Sequence, residues 1–290
     1  MPEIQKIPKV KPMISSSFNM NEKEFNTLRQ MVFDHCGIEV RPQKKQLMVN
    51  RLAKRLRHLG LQTFSEYLHY LEKGNHRDQE FIELIDAITT NKTDFFREPK
   101  HFQFLEETVL PEIISTMSNK TKSIKVWSAA CSSGEEPYTT SICLSEALNK
   151  HYGWSFDITA SDISETILRQ AISGIYEESK VSPIPANLLR KYFLRGNKRY
   201  KVKPELSKNI TFKKINLNLD FHRMLSSYDV IFIRNVLIYF NRQTQQSIIE
   251  KCWNVLRPGG YLFLGHSETL QGMETKFHYV LPAIYQREIE

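Results

Sequence analysis

VWSAACSSGEEPY, spanning Val126–Tyr138, is the stretch that decides the fold. Ile124, Val126 and Trp127 make a short apolar strand, and Ser128 to Gly134 make a loop of small residues. Glu135-Glu136-Pro137 then leads into a helix-patterned stretch from Tyr138 to Leu148. Strand, tight loop and helix start together form the first βα turn of a nucleotide-binding α/β sheet, where a ligand lies against the strand end. Small side chains let the backbone approach that ligand closely. The loop lacks G-x-G-x-x-G, which argues against a dinucleotide pyrophosphate. An acid at the helix start repels a phosphate and suits a ligand carrying positive charge. The plain alternative is an ordinary strand-to-helix loop.

Downstream, strands and helices alternate. Phe156–Ala160 is a strand ending at Ser161-Asp162, Ser164–Ser173 a helix, and Ile210–Ile215 a strand ending at Asn216-Leu217. Asp229–Ile233 is an apolar strand ending at Arg234-Asn235, and Thr244–Leu256 is a helix stopped by Pro258-Gly259-Gly260. Tyr261–Leu264 is the next strand, with one or two more in Tyr279–Gln286. Such alternation predicts a mostly parallel sheet covered on both faces. Arg190–Leu206 departs from it. Tyr192–Leu194 and Tyr200–Val202, around Gly196-Asn197, read as a small hairpin excursion.

Upstream, Asn21 to about Ile88 is helical. Asn21 caps the first helix, with Glu24 at the capping-box position and Phe25, Leu28, Val32 and Phe33 on its apolar face. A second helix over Lys44–Leu59 places Met48, Leu52, Leu56 and Leu59 on one stripe and stops at Gly60. Phe64–Glu72 and Asp78–Thr89 predict two more, Lys100–Met117 a connecting helix, and Ser118–Ser123 a polar turn. The expected organisation is a flexible tail over 1–17, a helical domain over 18–90, a linker and connecting helix over 91–123, and an α/β domain over 124–290 with a β subdomain at about 190–208.

The 290 residues give room for one large or two ordinary domains. No apolar run approaches the roughly 18–20 residues of a membrane span. The N-terminus has lysines and prolines without the apolar core of a signal peptide. The four cysteines (Cys36, Cys131, Cys143, Cys252) are scattered, with no C-x-x-C pair. That predicts a reducing, cytoplasmic setting and argues against structural zinc or a disulfide framework. The net charge of +8 implies an acidic partner without naming its class.

Ligands in an open parallel sheet bind at the carboxyl ends of the strands, near the point where strand order reverses. The strand ends here are the Ser128–Glu135 loop, Asp162 at about the distance that suits ribose hydroxyls, Asn216 with an amide for an adenine edge, and Arg234-Asn235. Read alone, Asp162 fits a helix N-cap in an S-D-x-S turn somewhat better; in combination the ends favour an adenosine site. In Asn91-Lys92-Thr93-Asp94-Phe95-Phe96-Arg97-Glu98-Pro99, Arg97 offers a fork for a carboxylate, although an interdomain connection with buried phenylalanines fits the spacing better. Arg234–Phe240 is too apolar for a surface loop. Tyr239, beyond the expected central strand, is either a core aromatic or a group near the reaction. Lys44–Arg57 holds six Lys or Arg and no acid, a solvated face or a docking surface for an acidic partner.

Taken in order, TTNKTDFFREPKHF, VWSAACSSGEEPY, ASDIS, AISGIY, INL, IFIRNVLIYF and LRPGGYLFLGHSE resemble the receptor glutamate methyltransferases of bacterial chemotaxis, the CheR family. The resemblance runs from about Asn21 to Gln286. It implies a Rossmann-like methyltransferase sheet with an N-terminal all-helical domain and a small inserted antiparallel β subdomain. The implied reaction carries a methyl group from S-adenosyl-L-methionine to glutamates on the cytoplasmic helices of chemoreceptors, leaving S-adenosyl-L-homocysteine. By position it implies that Asn91, Thr93 and Arg97 hold the methionine end and that Glu135 binds the cofactor in the first loop. Asp162 takes the ribose, Asn216 and Leu217 border the adenine, and Arg234 and Asn235 close the site. Arg97 and Tyr239 lie near the methyl group. Arg51, Lys54, Arg55 and Arg57 resemble the receptor-recognition helix. The hairpin tip Arg195–Tyr200 is short, so strong tethering of a receptor tail peptide is not expected. A monomer recruited to membrane receptor clusters, with no metal, nucleic acid or membrane insertion, completes the expectation.

A glutamate carboxylate, with a pKa of about 4.3, is already ionised near neutral pH and needs no general base. Two other classes compete. A nucleic-acid methyltransferase suits the charge, but amino-group enzymes carry [DNS]-P-P-[YF] where this chain has Arg234-Asn235-Val236, and no Pro-Cys nucleophile stands there. A sensor that binds S-adenosylmethionine without turnover would have no need of Arg97 or Tyr239.

Overall fold

The computed structural model describes residues 18–73, 77–89, 91–116, 122–221, 224 and 227–288. The expected tail at 1–17 and most of the expected polar turn lie outside the described residues.

Four helices come first: α1 (Glu22–Cys36), α2 (Lys45–Leu59), α3 (Phe64–Lys73) and α4 (Arg77–Ile88). Asn21 and Glu24 close a reciprocal capping box at 2.9 and 2.8 Å. Gly37 and Gly60 end α1 and α2 in the left-handed conformation, at φ 76° and 71°. Phe25 and Leu28 of α1, Leu52 and Leu56 of α2, Tyr67 and Leu71 of α3, and Leu84 of α4 bury against one another as a core of their own.

The connecting helix is not continuous. α5 (Pro99–Phe104) opens into a wide π turn over Leu105–Val109 before α6 (Leu110–Thr116). Pro111 is the cause: it has no N–H for the carbonyl four residues back, and its ring crowds that carbonyl. Leu110 N–H instead reaches five residues back to Leu105.

The chain then runs β1 (Ser123–Ala129), α7 (Glu135–Leu148), β2 (Ser155–Asp162), α8 (Glu165–Ser173), β3 (Ile175–Glu177), α9 (Glu178–Val181), α10 (Ala186–Tyr192), β4 (Phe193–Arg195), β5 (Arg199–Val202), α11 (Pro204–Ser207), β6 (Ile210–Lys214), β7 (Tyr228–Ile233), α12 (Arg242–Val255), β8 (Leu256–Leu264), β9 (His278–Leu281) and β10 (Ile284–Gln286). The main sheet has the order β6-β2-β1-β7-β8-β10-β9. β6 to β8 are parallel, while β10 and β9 are antiparallel. β7, central in the sheet, is buried at every residue, as a parallel strand covered on both faces must be. Alternate residues supply opposite layers: Val126, Phe232 and Phe263 pack on one face, Trp127, Ile231 and Leu262 on the other. From β1 the chain moves outward through β2 to β6, then returns to β7 and continues the other way. The order therefore reverses between β1 and β7.

Two expectations need correction. Pro258-Gly259-Gly260 does not stop α12. The chain leaves the helix at Leu256 directly into β8, and the Pro-Gly-Gly run lies in a bulge between the pairs Tyr228–Leu256 and Val230–Tyr261. A side chain on Gly260 would sit 3.0 Å from the Asp229 carbonyl and 2.8 Å from Leu256 Cγ, so glycine is what allows the strand to close there. The β excursion is also larger than a hairpin. β3 pairs with β5 to make a three-stranded antiparallel sheet, β3-β5-β4, so the unit begins at Ile175. Three residues directly after Gly174 are too few to show a strand period.

Candidate functional site

A cavity of about 300 Å³ opens at the carboxyl ends of β2, β1 and β7, where strand order reverses. Asn91, Thr93, Arg97, Asp162, Asn216, Leu217, Arg234, Asn235 and Tyr239 all line it. The sequence scatters them over some 150 positions; the sheet brings them to one edge.

The first loop is curled tightly, with Ala130, Ser132 and Gly134 in the left-handed region at φ 57°, 50° and 95°. A Cβ on Gly134 would meet Ala171 Cβ and Tyr176 Oη at 3.0 Å. Cys131 N–H donates to the Ser161 carbonyl at 2.8 Å, and Ser132 N–H to Asp162 Oδ2 at 2.9 Å. Asp162 Oδ1 accepts Ser164 N–H at 3.0 Å. Asp162 therefore pins the loop to β2 while lining the cavity. It is not the helix cap: Ser164 Oγ takes that place, accepting Ile167 N–H at 3.1 Å. Burial pushes the Asp162 carboxyl above its ordinary pKa, opposed by the N–H groups of Ser164 and Ser132.

Glu135 is not brought to the cavity wall. It is almost wholly buried, its Oε2 accepts the Ser133 hydroxyl at 2.6 Å, and Lys180 Nζ lies 3.9 Å away. Burial raises its pKa, partly offset by the Ser133 bond. Its neighbour Glu136 faces the cavity and accepts the Ser128 hydroxyl at 2.7 Å. Consecutive helical residues point about 100° apart, so one of the pair faces the cavity and the other does not.

Arg234 is buried in the wall. Its guanidinium donates to Glu136 Oε2 at 2.8 Å, to Glu98 Oε2 at 2.8 Å and to the Arg97 carbonyl at 2.5 Å. Burial alone would raise the Glu98 pKa, but the bond and charge of Arg234 carry it below the ordinary value. Asn235 is left-handed at φ 57°, and its N–H donates to Glu268 Oε2 at 2.7 Å, as does that of Gly265. Asn216 donates its side-chain amide to the His35 carbonyl at 2.9 Å and accepts Asn218 N–H at 3.0 Å. That amide thus joins the two lobes. Tyr239 lies in a short 3₁₀ turn (Leu237–Tyr239). Its carbonyl accepts Glu39 N–H at 2.8 Å, Ile38 bridges Phe240, and Lys44 Nζ sits 5.4 Å from its ring centre. Cys36, Ile38, Ile88 and Thr89 of the helical lobe complete the lining. Burial pushes the Cys36 thiol up to about 12 and that of Cys131 well above its ordinary value, so neither is a thiolate at neutral pH.

The basic helix is less free than its sequence implies. Arg51 Nη1 donates to the Ile88 and Thr89 carbonyls at 2.5 and 2.9 Å. Arg55 pairs with Glu80 at 2.5 Å and Glu83 at 3.4 Å. Lys44–Arg57 has no acid of its own, but α4 supplies two. Lys54 and Arg57 stay exposed, with Arg57 over the Phe18 ring at 5.3 Å. Sequence reasoning passed over Glu98 and Glu136 as site groups. No local signal marks either, since the first follows Arg97 and the second follows Glu135 in otherwise ordinary helix starts.

The donor set suits S-adenosylmethionine. Glu136 and Asp162 offer acceptors, the first loop carries no cation for a phosphate, and Ile163, Ile215, Leu217 and Val236 make an apolar wall that suits a purine. Fold and site together define a Rossmann-like, S-adenosylmethionine-dependent methyltransferase. Residues 23–89 match the CheR methyltransferase all-alpha domain and residues 91–284 the CheR methyltransferase SAM binding domain. The chain is similar to the chemotaxis protein methyltransferase of Borreliella burgdorferi, 38% identical over 274 residues that cover 93% of this chain and 96% of the relative. It is also similar to that of Salmonella typhimurium, 36% identical over 262 residues, 89% of this chain and 88% of the relative. The chain belongs to the CheR family of chemotaxis methyltransferases, and S-adenosylmethionine is its methyl donor. No described helix is long and apolar enough to cross a membrane.

Proposed function

We propose that the chain methylates glutamate side chains on chemoreceptor helices, giving glutamate methyl esters. The observation that carries this reading is the lining of the cavity. It holds Arg97 and Tyr239 but, among the described residues, no histidine, and its two thiols are kept protonated by burial. Such a wall offers carboxylates already engaged in hydrogen bonds or ion pairs, but neither an imidazole nor a thiolate, and it suits an acceptor that arrives ionised, as a carboxylate does near neutral pH.

Bound S-adenosylmethionine supplies an electrophilic methyl carbon. The chain supplies alignment and exclusion of water. Arg97, with Nη1 anchored on the Lys92 carbonyl at 2.9 Å, and Tyr239 orient the incoming carboxylate. Their hold is loose, because tight pairing would stabilise the ground state more than the transition state. Asp162 takes the ribose hydroxyls, Asn216 and Leu217 flank the adenine, and Asn91, Thr93, Arg234 and Asn235 hold the methionine end. Glu136, rather than Glu135, is the acid that meets the cofactor. The exposed Lys54 and Arg57 of α2 meet acidic receptor helices in the cytoplasm, and the three-stranded unit does not tether a receptor tail strongly.

The test is tritium transfer from labelled S-adenosylmethionine to receptor-containing membranes, read as base-labile methanol. The expected outcome is methanol release that falls roughly ten- to hundredfold in Tyr239→Phe at unchanged cofactor affinity. Label on nucleic acid, or binding without release, defeats the reading; undiminished turnover removes Tyr239 from it.

A further inference from the structure

Beside the cavity, outside its lining, lies a cluster the proposed methyl transfer does not use. His101, on α5, is about 2% exposed, and neither of its ring nitrogens has a hydrogen-bond partner among the described residues. A buried polar group in that state calls for an explanation. Its Nδ1 lies 3.5 Å from Glu98 Oε2. Nε2 of His266, just past the end of β8, lies 3.9 Å from the same oxygen. The two imidazoles meet edge to face at 4.9 Å, and one donor atom from each of the three residues falls within 4.8 Å of the others.

We propose that Glu98, His101 and His266 form a binding site for one divalent transition-metal ion of the zinc class, and that an ion bound there slows methyl transfer. Two imidazoles and a carboxylate are a common zinc donor set, and ligands about 2.0–2.1 Å from a tetrahedral ion stand roughly 3.3 Å apart. The present separations come within reach of that by turning His266, whose side chain is half exposed. Glu98 and His101 are already held, the first by Arg234 and the second by packing against Phe263 at 5.7 Å. A fourth position is left for water. Charge permits the ion: Arg234 is balanced by Glu136 as well as Glu98, so a divalent cation does not face an uncompensated guanidinium. The coupling runs through Glu98. The carboxylate oxygen nearest both imidazoles is the one that accepts from Arg234, and the other accepts from Asn235 at 3.4 Å. An ion that draws on this carboxylate loosens two residues of the cavity wall.

The test uses the full chain with Co²⁺ and Zn²⁺ as the only added metals. Co²⁺ reports coordination through its visible spectrum, and Zn²⁺ gives stoichiometry by calorimetry. Binding needs no substrate, so it stands or falls separately from the glutamate reading. All four cysteines are buried and do not compete. The expected result is one equivalent of ion with a four- or five-coordinate Co²⁺ spectrum, affinity at least about tenfold lower in His266→Ala, and methyl transfer slowed by Zn²⁺ in the unaltered chain only. His101→Gln, which keeps the volume but loses an imidazole, is expected to lose the spectrum as well. Unchanged affinity in both variants, or a six-coordinate spectrum alone, overturns the site. Equal Zn²⁺ inhibition of the unaltered chain and His266→Ala overturns the coupling.

Discussion

Replacing Arg234 by Met tests the ion-pair wall most directly. The guanidinium is held by Glu98, Glu136 and the Arg97 carbonyl, and its side chain is about 2% exposed. Removing one partner of a buried pair costs about 3–5 kcal/mol, because the remaining charge is left uncompensated. Here two carboxylates lose a shared cation, but they are 12% and 13% exposed, so water relieves part of the penalty. The expected loss is near the lower end, about 3 kcal/mol. Urea unfolding followed by tryptophan fluorescence reads the right part of the molecule, since Trp127, Trp154 and Trp253 are the chain's three tryptophans and all lie in the sheet lobe. A cycle with Glu136→Gln sharpens the assay. Glu136→Gln alone is expected to cost about 1.5 kcal/mol, the value of a charge-assisted bond, and the double variant to fall short of the sum by about 1 kcal/mol or more. A loss below about 1 kcal/mol for Arg234→Met, or strict additivity, would refute the buried-pair reasoning.

Three further outcomes follow from the same structure. A methyl group at Gly265 would lie 2.8 Å from both Asn235 Cγ and its backbone nitrogen, so Gly265→Ala should weaken S-adenosylhomocysteine binding roughly tenfold or more in calorimetry; unchanged affinity counts against the placement of Asn235. Leu52 is fully buried in the helical core, and Leu52→Ala should destabilise that lobe by about 2–5 kcal/mol, read by far-UV circular dichroism. Hydrogen bonds from Lys191 and then Tyr192 hold Glu146 below its ordinary pKa of 4.5. A depressed carboxylate contributes stability that is present above the unfolded value and lost as pH falls through the lower, folded one. Glu146→Gln should therefore lower the melting temperature slightly at pH 7, with the difference shrinking as pH falls below the ordinary carboxylate value and through the lower, folded one, the effect staying small because the pair is half exposed. Equal destabilisation across that range would show a packing effect instead.

Much of the architecture was legible because it rests on local chemistry. Asn21 with Glu24, Gly37 and Gly60 set helix ends through bonds made within a few residues. The apolar run Val230–Ile233 of β7 announces burial on both faces wherever that strand is placed. The π turn at Leu105–Val109 was open to view in principle, since Pro111 removes a specific hydrogen bond. The bulge at Pro258-Gly259-Gly260 was not, because those residues end a helix as readily as they kink a strand. Only the approach of the Asp229 carbonyl to Gly260 distinguishes the two.

At the cavity, the sequence alone determined which residue types stand at the strand ends, because strand period and helix caps are local and the carboxyl edge of a parallel sheet follows from alternation. Tertiary structure decided which of those groups line the cavity and which are taken up elsewhere. Glu135 and Glu136 are equivalent in sequence and separated only by the phase of α7. The charge of Arg51 and Arg55 is drawn inward by α4, from beyond the segment in which it was counted. Glu98 becomes a hub through Arg234 and His266, more than a hundred residues away. Side-chain direction and ion pairing depend on what packs opposite, and that is settled only when distant segments are brought together.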